Sequence, residues 1–258
     1  MLSFLVFRKI SYFAKNMHPP LSACYPWAAH GIVLYLTCAV GLSMRGFSRT
    51  VSPPPGAIRE LIGSWMRATL AAFEPTLERL HITPMSLTFA QLGFSCVAGL
   101  AYAQGGVFLG GCFVLGSGIL DLLDGGLARR TQQASRRGAF LDSVIDRYAE
   151  FFTFLGLGIF FAHSWLLWVI VFGFFGSLMV SYTRARAEGL GTQCRGGLMQ
   201  RGERYVLLSL ASWLSVAANH LSCSSAHFIL IAGLIFMAFS TNITALSRVR
   251  MVATALKG

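Results

Sequence analysis

Charged side chains are scarce in this chain: Asp, Glu, Lys and Arg make up 12% of its 258 residues, where a soluble domain carries about 25%. With a hydrophobic share of 55%, that shortage excludes an ordinary water-soluble domain. It points to apolar helices of about 20 residues, the length that crosses a hydrocarbon core. Cysteine pairing is missing as well. Cys24, Cys38, Cys96, Cys112, Cys194 and Cys223 form no CxxC pair and no Cys/His metal spacing, and most lie in apolar stretches that suit buried free thiols. Acidic residues are the rarest charged class, ten against 21 Lys and Arg, for a net charge of +11. No basic stripe with interleaved aromatics lies on a soluble module, which argues against nucleic acid as the partner of that surplus. Basic cytoplasmic loops facing anionic lipid account for it. Internal repeats and low-complexity tracts are absent, and the N-terminus lacks the short apolar core and small-residue site of a cleavable signal.

Six apolar stretches follow one another after residue 80, at 86–104, 107–128, 139–163, 165–183, 203–220 and 226–246, each long enough to span a bilayer. Their connections alternate in charge. No Arg or Lys occurs across residues 81–128, nor in the turns at 162–165 and 219–227. The second connection carries Arg129, Arg130, Arg136 and Arg137, the fourth Arg184, Arg186, Arg195, Arg201 and Arg204, and the tail Arg248, Arg250 and Lys257. The positive-inside bias puts these three in the cytoplasm. Upstream, residues 57–80 set Ile58, Leu61, Ile62, Trp65, Met66 and Leu70 against Arg59, Glu60, Arg67, Glu74, Glu78 and Arg79, the pattern of an interfacial helix. The prolines at 53–55 and Gly56 break whatever precedes. Residues 1–52 hold one further apolar run at 27–44, which leaves a seventh span open, as later starts at Met17, Met44 or Met66 are open too. The expected fold is all-α and integral to the membrane. It comprises an N-terminal extension (1–56), an interfacial amphipathic helix (57–80), a six-transmembrane-helix domain (81–250) and a cytoplasmic tail (251–258).

Four Asp residues fall between positions 121 and 146 in segments that are otherwise apolar. An ionised carboxylate at membrane depth costs roughly 2.5–3.5 kcal/mol on insertion scales, so this cluster needs a counter-charge. Near the cytoplasmic end of the second span, Asp121, Asp124, Gly125 and Ala128 share an arc of roughly 100° on one helix face. Asp142 and Asp146, four apart, share a face of the third span. A short connection favours an antiparallel pair, which lets the four carboxylates converge just below the cytoplasmic membrane surface. Two readings of such a cluster are open. One is a set of buried ion pairs with neighbouring arginines. The other is a site for hard divalent cations that prefer oxygen, Mg²⁺ or Mn²⁺, without which several carboxylates would stay protonated. Gly125, Ala128 and Gly138 leave room for a ligand against the backbone, and Arg129 offers a fork of donors to phosphate oxygens.

Taken together the segment reads Asp-x2-Asp-Gly-x2-Ala-Arg-x8-Gly-x3-Asp-x3-Asp, on Asp121, Asp124, Gly125, Ala128, Arg129, Gly138, Asp142 and Asp146. At every fixed position this resembles the signature of the class I CDP-alcohol phosphatidyltransferase family. At usages of roughly 5–8% per residue type, eight such positions coincide by chance on the order of once in 10⁹–10¹⁰ trials. The resemblance covers about residues 57–250 and leaves 1–52 outside. It implies an enzyme of phospholipid biosynthesis, a homodimer in a bacterial cytoplasmic membrane with its active site facing the cytoplasm. In that reaction the hydroxyl of an acceptor alcohol displaces CMP from CDP-diacylglycerol with the help of two divalent ions, Mg²⁺ or Mn²⁺. Asp121, Asp124 and Asp142 would be ligands, and Asp146 both a ligand and the general base. Gly125 and Arg129 would contact the CDP part, flanked by Ala128 and Gly138, with Ser135 hydrogen-bonding from the loop. The stretch Thr83-Pro84-Met85-Ser86-Leu87-Thr88-Phe89 is similar to the family's Thr-Pro-Asn-x-x-Thr opening of the first core helix, with Met85 in place of Asn. Ser86 and Thr88 there suit a phosphate or ribose, or equally an ordinary N-cap and first turn.

The signature does not name the alcohol. Residues 181–191 and 196–205 place Arg184, Arg186, Arg201 and Arg204 on the cytoplasmic side, and Arg248 can join them. Such a rim draws an anionic acceptor, or simply follows the positive-inside bias. The Ser-Tyr-x-Arg-Ala-Arg-Ala-Glu run with the later Arg-x-Glu-Arg resembles the branch that makes phosphatidylinositol phosphate, or its archaeal ether-lipid counterpart, from inositol 1-phosphate. Ser181, Arg184, Arg201, Arg204 and Arg248 would then line the acceptor phosphate site. Phosphatidylglycerophosphate synthase, with glycerol 3-phosphate, is the alternative. A membrane cation transporter would need carboxylates near the midplane, and no acidic group deeper than the cluster is expected. The intact signature opposes an inactive scaffold.

Overall fold

The structure is a computed structural model that describes residues 72–192, 194, 197, 199–222 and 227–256. The apolar run at 27–44 and residues 57–71 of the expected interfacial helix lie outside the described residues. Among those described there are seven helices and no strand: α1 (Glu74–Arg79), α2 (Pro84–Ala103), α3 (Val107–Arg130), α4 (Arg136–Phe160), α5 (Leu166–Gly189), α6 (Arg201–Ser222) and α7 (Phe228–Ala255).

Local chemistry sets several of the boundaries. Thr83 caps α2, accepting the Ser86 N–H at 3.2 Å, and Pro84 takes the first helical position, where its missing N–H is no loss. Gly105, at φ +79, turns α2 into α3, a conformation that favours glycine. Ser135 caps α4 by accepting the Gly138 N–H at 3.0 Å. That cap starts α4 at Arg136, and the helix ends at Phe160, each a few residues before the expected 139–163. α5 continues to Gly189 and α7 to Ala255, past the expected ends at 183 and 246. The apolar character stops there, but Arg and Ala are good helix formers, so the helices continue as charged ends.

Four helices, α2, α3, α5 and α7, are long and apolar enough to cross a membrane. α4 and α6 are long enough, but they carry the charged groups: Arg136, Arg137, Asp142, Asp146, Arg147 and Glu150 on one, Arg201, Glu203 and Arg204 on the other. The protein is an integral membrane protein, all-helical across the described residues, and its two least apolar long helices are α4 and α6.

α2 packs on α3 and α4, α5 on α7, and α6 on α3 and α7. Helices in lipid gain no hydrophobic drive toward one another, so small residues and close backbone approach hold them together. The α2–α4 crossing shows this. A Cβ on Gly99 would collide with the carbonyl oxygen of Phe152, and one on Gly156 with that of Gly99. Around this crossing lies a core of buried residues including Ala98, Tyr102, Val114, Phe154, Leu157 and Leu234. Hydrogen bonds between helices tie it further, from Ser95 to Ser117 at 2.8 Å and from Tyr102 to Ser212 at 2.7 Å. Cys96, Cys112 and Cys194 are free thiols.

Gly99→Val or Gly156→Val is expected to destabilise the protein at or above the upper end of the about 1–3 kcal/mol seen for overpacking, because the obstructing atoms are backbone. Gly93→Ala has open space around it and should be neutral, or stabilising by up to about 1 kcal/mol from helix propensity. Thermal unfolding in detergent checks both; equal midpoints for the two kinds of variant would contradict this packing.

Candidate functional site

The antiparallel turn from α3 to α4 carries the signature residues. Asp121 lies three turns before the end of α3, Asp142 and Asp146 lie in the first three turns of α4, and one carboxylate oxygen from each lies within 4.8 Å of the others. Asp146 is buried, and Asp121 and Asp142 are partly so. The Oδ1 atom of Asp142 is buried without a hydrogen-bond partner among the described residues. A charged acceptor left so is costly, and three converging oxygen donors match a hard divalent cation. These residues therefore fit a metal ion.

Asp124 stands apart from that trio. It is buried, and its Oδ2 accepts the Thr88 hydroxyl at 2.7 Å. Thr88 also reaches the Pro84 carbonyl at 3.2 Å, while the Ser86 hydroxyl donates to the Thr83 carbonyl at 2.6 Å. The start of α2 is thus an N-cap and first turn that also fixes a signature carboxylate. Gly125 is open toward Arg129, whose guanidinium a Cβ there would meet at 3.4 Å. Arg129 itself is exposed, and Ala128 is half-buried beside it. Ser135 uses an acceptor lone pair in capping Gly138, which leaves its O–H to donate.

The arginines expected on an acceptor rim divide into two groups. Arg201, at the start of α6, pairs with the Asp146 carboxylate, lies 3.8 Å from Asp121 Oδ1 and donates to the Asp146 carbonyl at 2.7 Å. Its Nε donates to the Tyr205 hydroxyl at 3.1 Å. Arg147 adds a 3.4 Å contact to Asp146. Arg204 is buried and pairs with Glu150 at 3.3 Å, with the Ser177 hydroxyl bridging the two. The other group lies at the far end of α5. Arg184 is exposed beside Glu188 at 2.9 Å, and Ser181 is half-buried one turn earlier. Arg248, buried on α7, donates to the Val180 carbonyl at 2.6 Å, which brings it next to Ser181. Arg186 is exposed.

Two residues of the site escape a reading of the sequence. Gln91 on α2 is fully buried and donates to Asp146 Oδ1 at 3.0 Å and Asp121 Oδ1 at 3.3 Å. The available signal was its position three residues after Thr88, on the same helix face. Glu150 is the other. It sits one turn deeper in α4 than Asp146 and is buried, so the expectation of no acidic group beyond the cluster is corrected. Arg204 balances its charge, which explains how it can lie there.

The described residues thus form a helical membrane bundle with carboxylate oxygens gathered at one end of two consecutive helices. Residues 81–240 match the profile of CDP-alcohol phosphatidyltransferases, and the chain belongs to that family. It is 32% identical over 171 residues to an archaetidylinositol phosphate synthase of Methanothermobacter thermautotrophicus, covering 61% of this chain and 82% of the relative. It is 35% identical over 137 residues to a phosphatidylinositol phosphate synthase of Mycobacteroides abscessus, covering 51% and 62%. Among solved structures, the Mycobacterium tuberculosis phosphatidylinositol phosphate synthase with CDP-DAG bound superposes with a TM-score of 0.62 at 26% identity, over 71% of this chain and 92% of that one. The same enzyme in complex with manganese and citrate gives a TM-score of 0.63 at 27% identity, over 72% and 89%. The chain is accordingly a membrane phosphotransferase of this family.

Breaking a buried ion pair from one side costs about 3–5 kcal/mol, whereas replacing both partners by apolar groups is often neutral. Glu150→Gln or Arg204→Met alone should therefore lower the thermal midpoint strongly, and Glu150→Leu with Arg204→Met should recover much of the loss. Additive losses in the double variant would count against the pairing.

Proposed function

We propose that this protein transfers the phosphatidyl group of CDP-diacylglycerol to a hydroxyl of inositol 1-phosphate, releasing CMP. The observation that carries the reading is the convergence of Asp121, Asp142 and Asp146 within 4.8 Å on the two helices that bear the family signature. When bound, two divalent cations, Mg²⁺ or Mn²⁺, would neutralise the pyrophosphate charge and stabilise the departing phosphate. Asp121, Asp142 and Asp146 would hold them, with Asp124 completing the set from the next turn of α3. Arg129 and the Ser135 hydroxyl would meet the nucleotide's phosphates, and Gly125, Ala128 and Gly138 would let it approach the backbone. Asp146 would take the proton from the attacking hydroxyl as its oxygen bonds to the lipid-bearing phosphorus and the bond to CMP breaks.

For the acceptor, Ser181, Arg184 and Arg248 form the polar group that supports a phosphate site. Arg201 would connect it to the carboxylates, and Arg204 would support Arg201 from below. Relatives named for inositol phosphate lipids favour inositol 1-phosphate over glycerol 3-phosphate. The reading includes six membrane spans, a homodimer, and a site facing the cytoplasm, as the Arg-rich connections suggest. A cation transporter is disfavoured, since Glu150, the deeper carboxylate among the described residues, is held by Arg204.

Purified protein supplied with labelled CDP-diacylglycerol, Mg²⁺ and a panel of alcohols should release CMP with inositol 1-phosphate. Release only with glycerol 3-phosphate would move the protein to the other branch, and release with none would end the enzymatic reading. Asp146→Asn should retain nucleotide binding while turnover falls by roughly 10²–10⁴-fold, the usual reach of general base catalysis; undiminished turnover would remove Asp146 from that role. Loss of one charge-assisted hydrogen bond, about 1.5–3 kcal/mol, should raise KM for inositol 1-phosphate roughly tenfold or more in Arg184→Gln and leave CDP-lipid binding unchanged.

A further inference from the structure

We propose that Gln91 is a positioning residue of the metal centre, holding Asp121 and Asp146 in one fixed relation through its side-chain amide. The proposal rests on the reading of these carboxylates as metal ligands. Gln91 belongs to α2, Asp121 to α3 and Asp146 to α4, so a single side chain ties carboxylates from two other helices. Its Nε2 lies 3.0 Å from Asp146 Oδ1, 3.3 Å from Asp121 Oδ1 and 3.5 Å from the Tyr205 hydroxyl.

The chemistry fixes which way the amide points. Ionised carboxylates only accept, so the NH₂ must face them, and its two hydrogens serve one acceptor each. The other end of the amide, Oε1, is buried with no hydrogen-bond partner among the described residues. Buried polar side chains normally have their groups satisfied. Here the end that is satisfied is the one facing the carboxylates, and the residue tolerates the loss at the other. A glutamine also differs from the arginines nearby in carrying no charge. It orients the two aspartates without neutralising them, and each carboxylate keeps further lone pairs for a cation. Arg201 and Arg147 approach Asp146 as cations and so compete with a metal ion; Gln91 does not.

Hydrogen-bond partners behind a metal's ligands commonly tune affinity or activity by 10–100-fold. The test is Mn²⁺ titration of the purified full chain in detergent, read by electron paramagnetic resonance of the free ion, without lipid or nucleotide. Four proteins are compared: the native chain, Asp121→Asn, Gln91→Met, which keeps the volume and removes the donor, and Gln91→Asn, whose amide is one carbon too short to reach both carboxylates. Each Gln91 variant is expected to bind Mn²⁺ roughly 10–100-fold more weakly than the native chain. Raised Mn²⁺ should restore the turnover of each variant toward the native kcat. A lower thermal midpoint in EDTA with Mn²⁺ affinity within about twofold of native would reduce Gln91 to a helix-packing residue and overturn the proposal. Should Gln91→Met fail to fold, Gln91→Asn decides by the same criterion. If the native chain binds no Mn²⁺, or Asp121→Asn binds it as tightly, the metal centre itself is wrong and the role of Gln91 falls with it.

Discussion

Negative charge held inside a helix bundle is the constraint on which the rest of this structure depends. Asp121, Asp142 and Asp146 are brought within 4.8 Å of one another in surroundings that are far less polar than water. Carboxylates so close repel, and the repulsion is stronger where the dielectric is low. Every neighbouring feature answers that repulsion. Arg201 and Arg147 bring positive charge to Asp146, Thr88 donates to Asp124, and Gln91 donates to Asp121 and Asp146. Asp142 Oδ1, buried without a hydrogen-bond partner among the described residues, is best explained by a cation.

Packing supplies what that electrostatic arrangement needs. The carboxylates come together because α2 and α4 approach to backbone contact at Gly99 and Gly156, and because α3 returns antiparallel to α4 through a short connection capped by Ser135. In lipid such close approach comes from small residues and hydrogen bonds between helices, since apolar surface gains nothing by leaving one apolar phase for another. The buried Glu150–Ser177–Arg204 group then joins α4, α5 and α6 one turn below the site. It is stable as a balanced set, and it also fixes the helix from which Arg201 reaches the carboxylates.

Under the proposed function of this CDP-alcohol phosphatidyltransferase, this division of labour would separate donor from acceptor. The signature on α3 and α4 would meet the nucleotide and cations, while α5 and α7 bring Ser181, Arg184 and Arg248 together at the same end of their helix pair. Arg201, at the start of α6, touches the carboxylates directly. A phosphorylated acceptor drawn to the second group would approach the first through Arg201.

The sequence determined the membrane character, the positions of the long helices and the identity of the four aspartates. Those features rest on periodic spacing along one chain: apolar runs of spanning length, Arg-rich connections in alternation, and Asp residues three and four apart, which helix geometry puts on one face. The caps at Thr83 and Ser135 are local in the same way. Tertiary structure decided the rest. That Arg201 meets Asp146 and Arg204 meets Glu150 depends on how α6 packs on α3 and α7, and sequence spacing carries no information about the rotation of one helix relative to another. Glu150 reads in sequence as one more residue of an apolar stretch, and only the packing of other helices puts Arg204 and Ser177 beside it. Gln91, a neutral residue among mostly apolar ones, carried only its spacing of three from Thr88. Its meaning comes only from the two carboxylates that other helices deliver to within 3.3 Å of its amide.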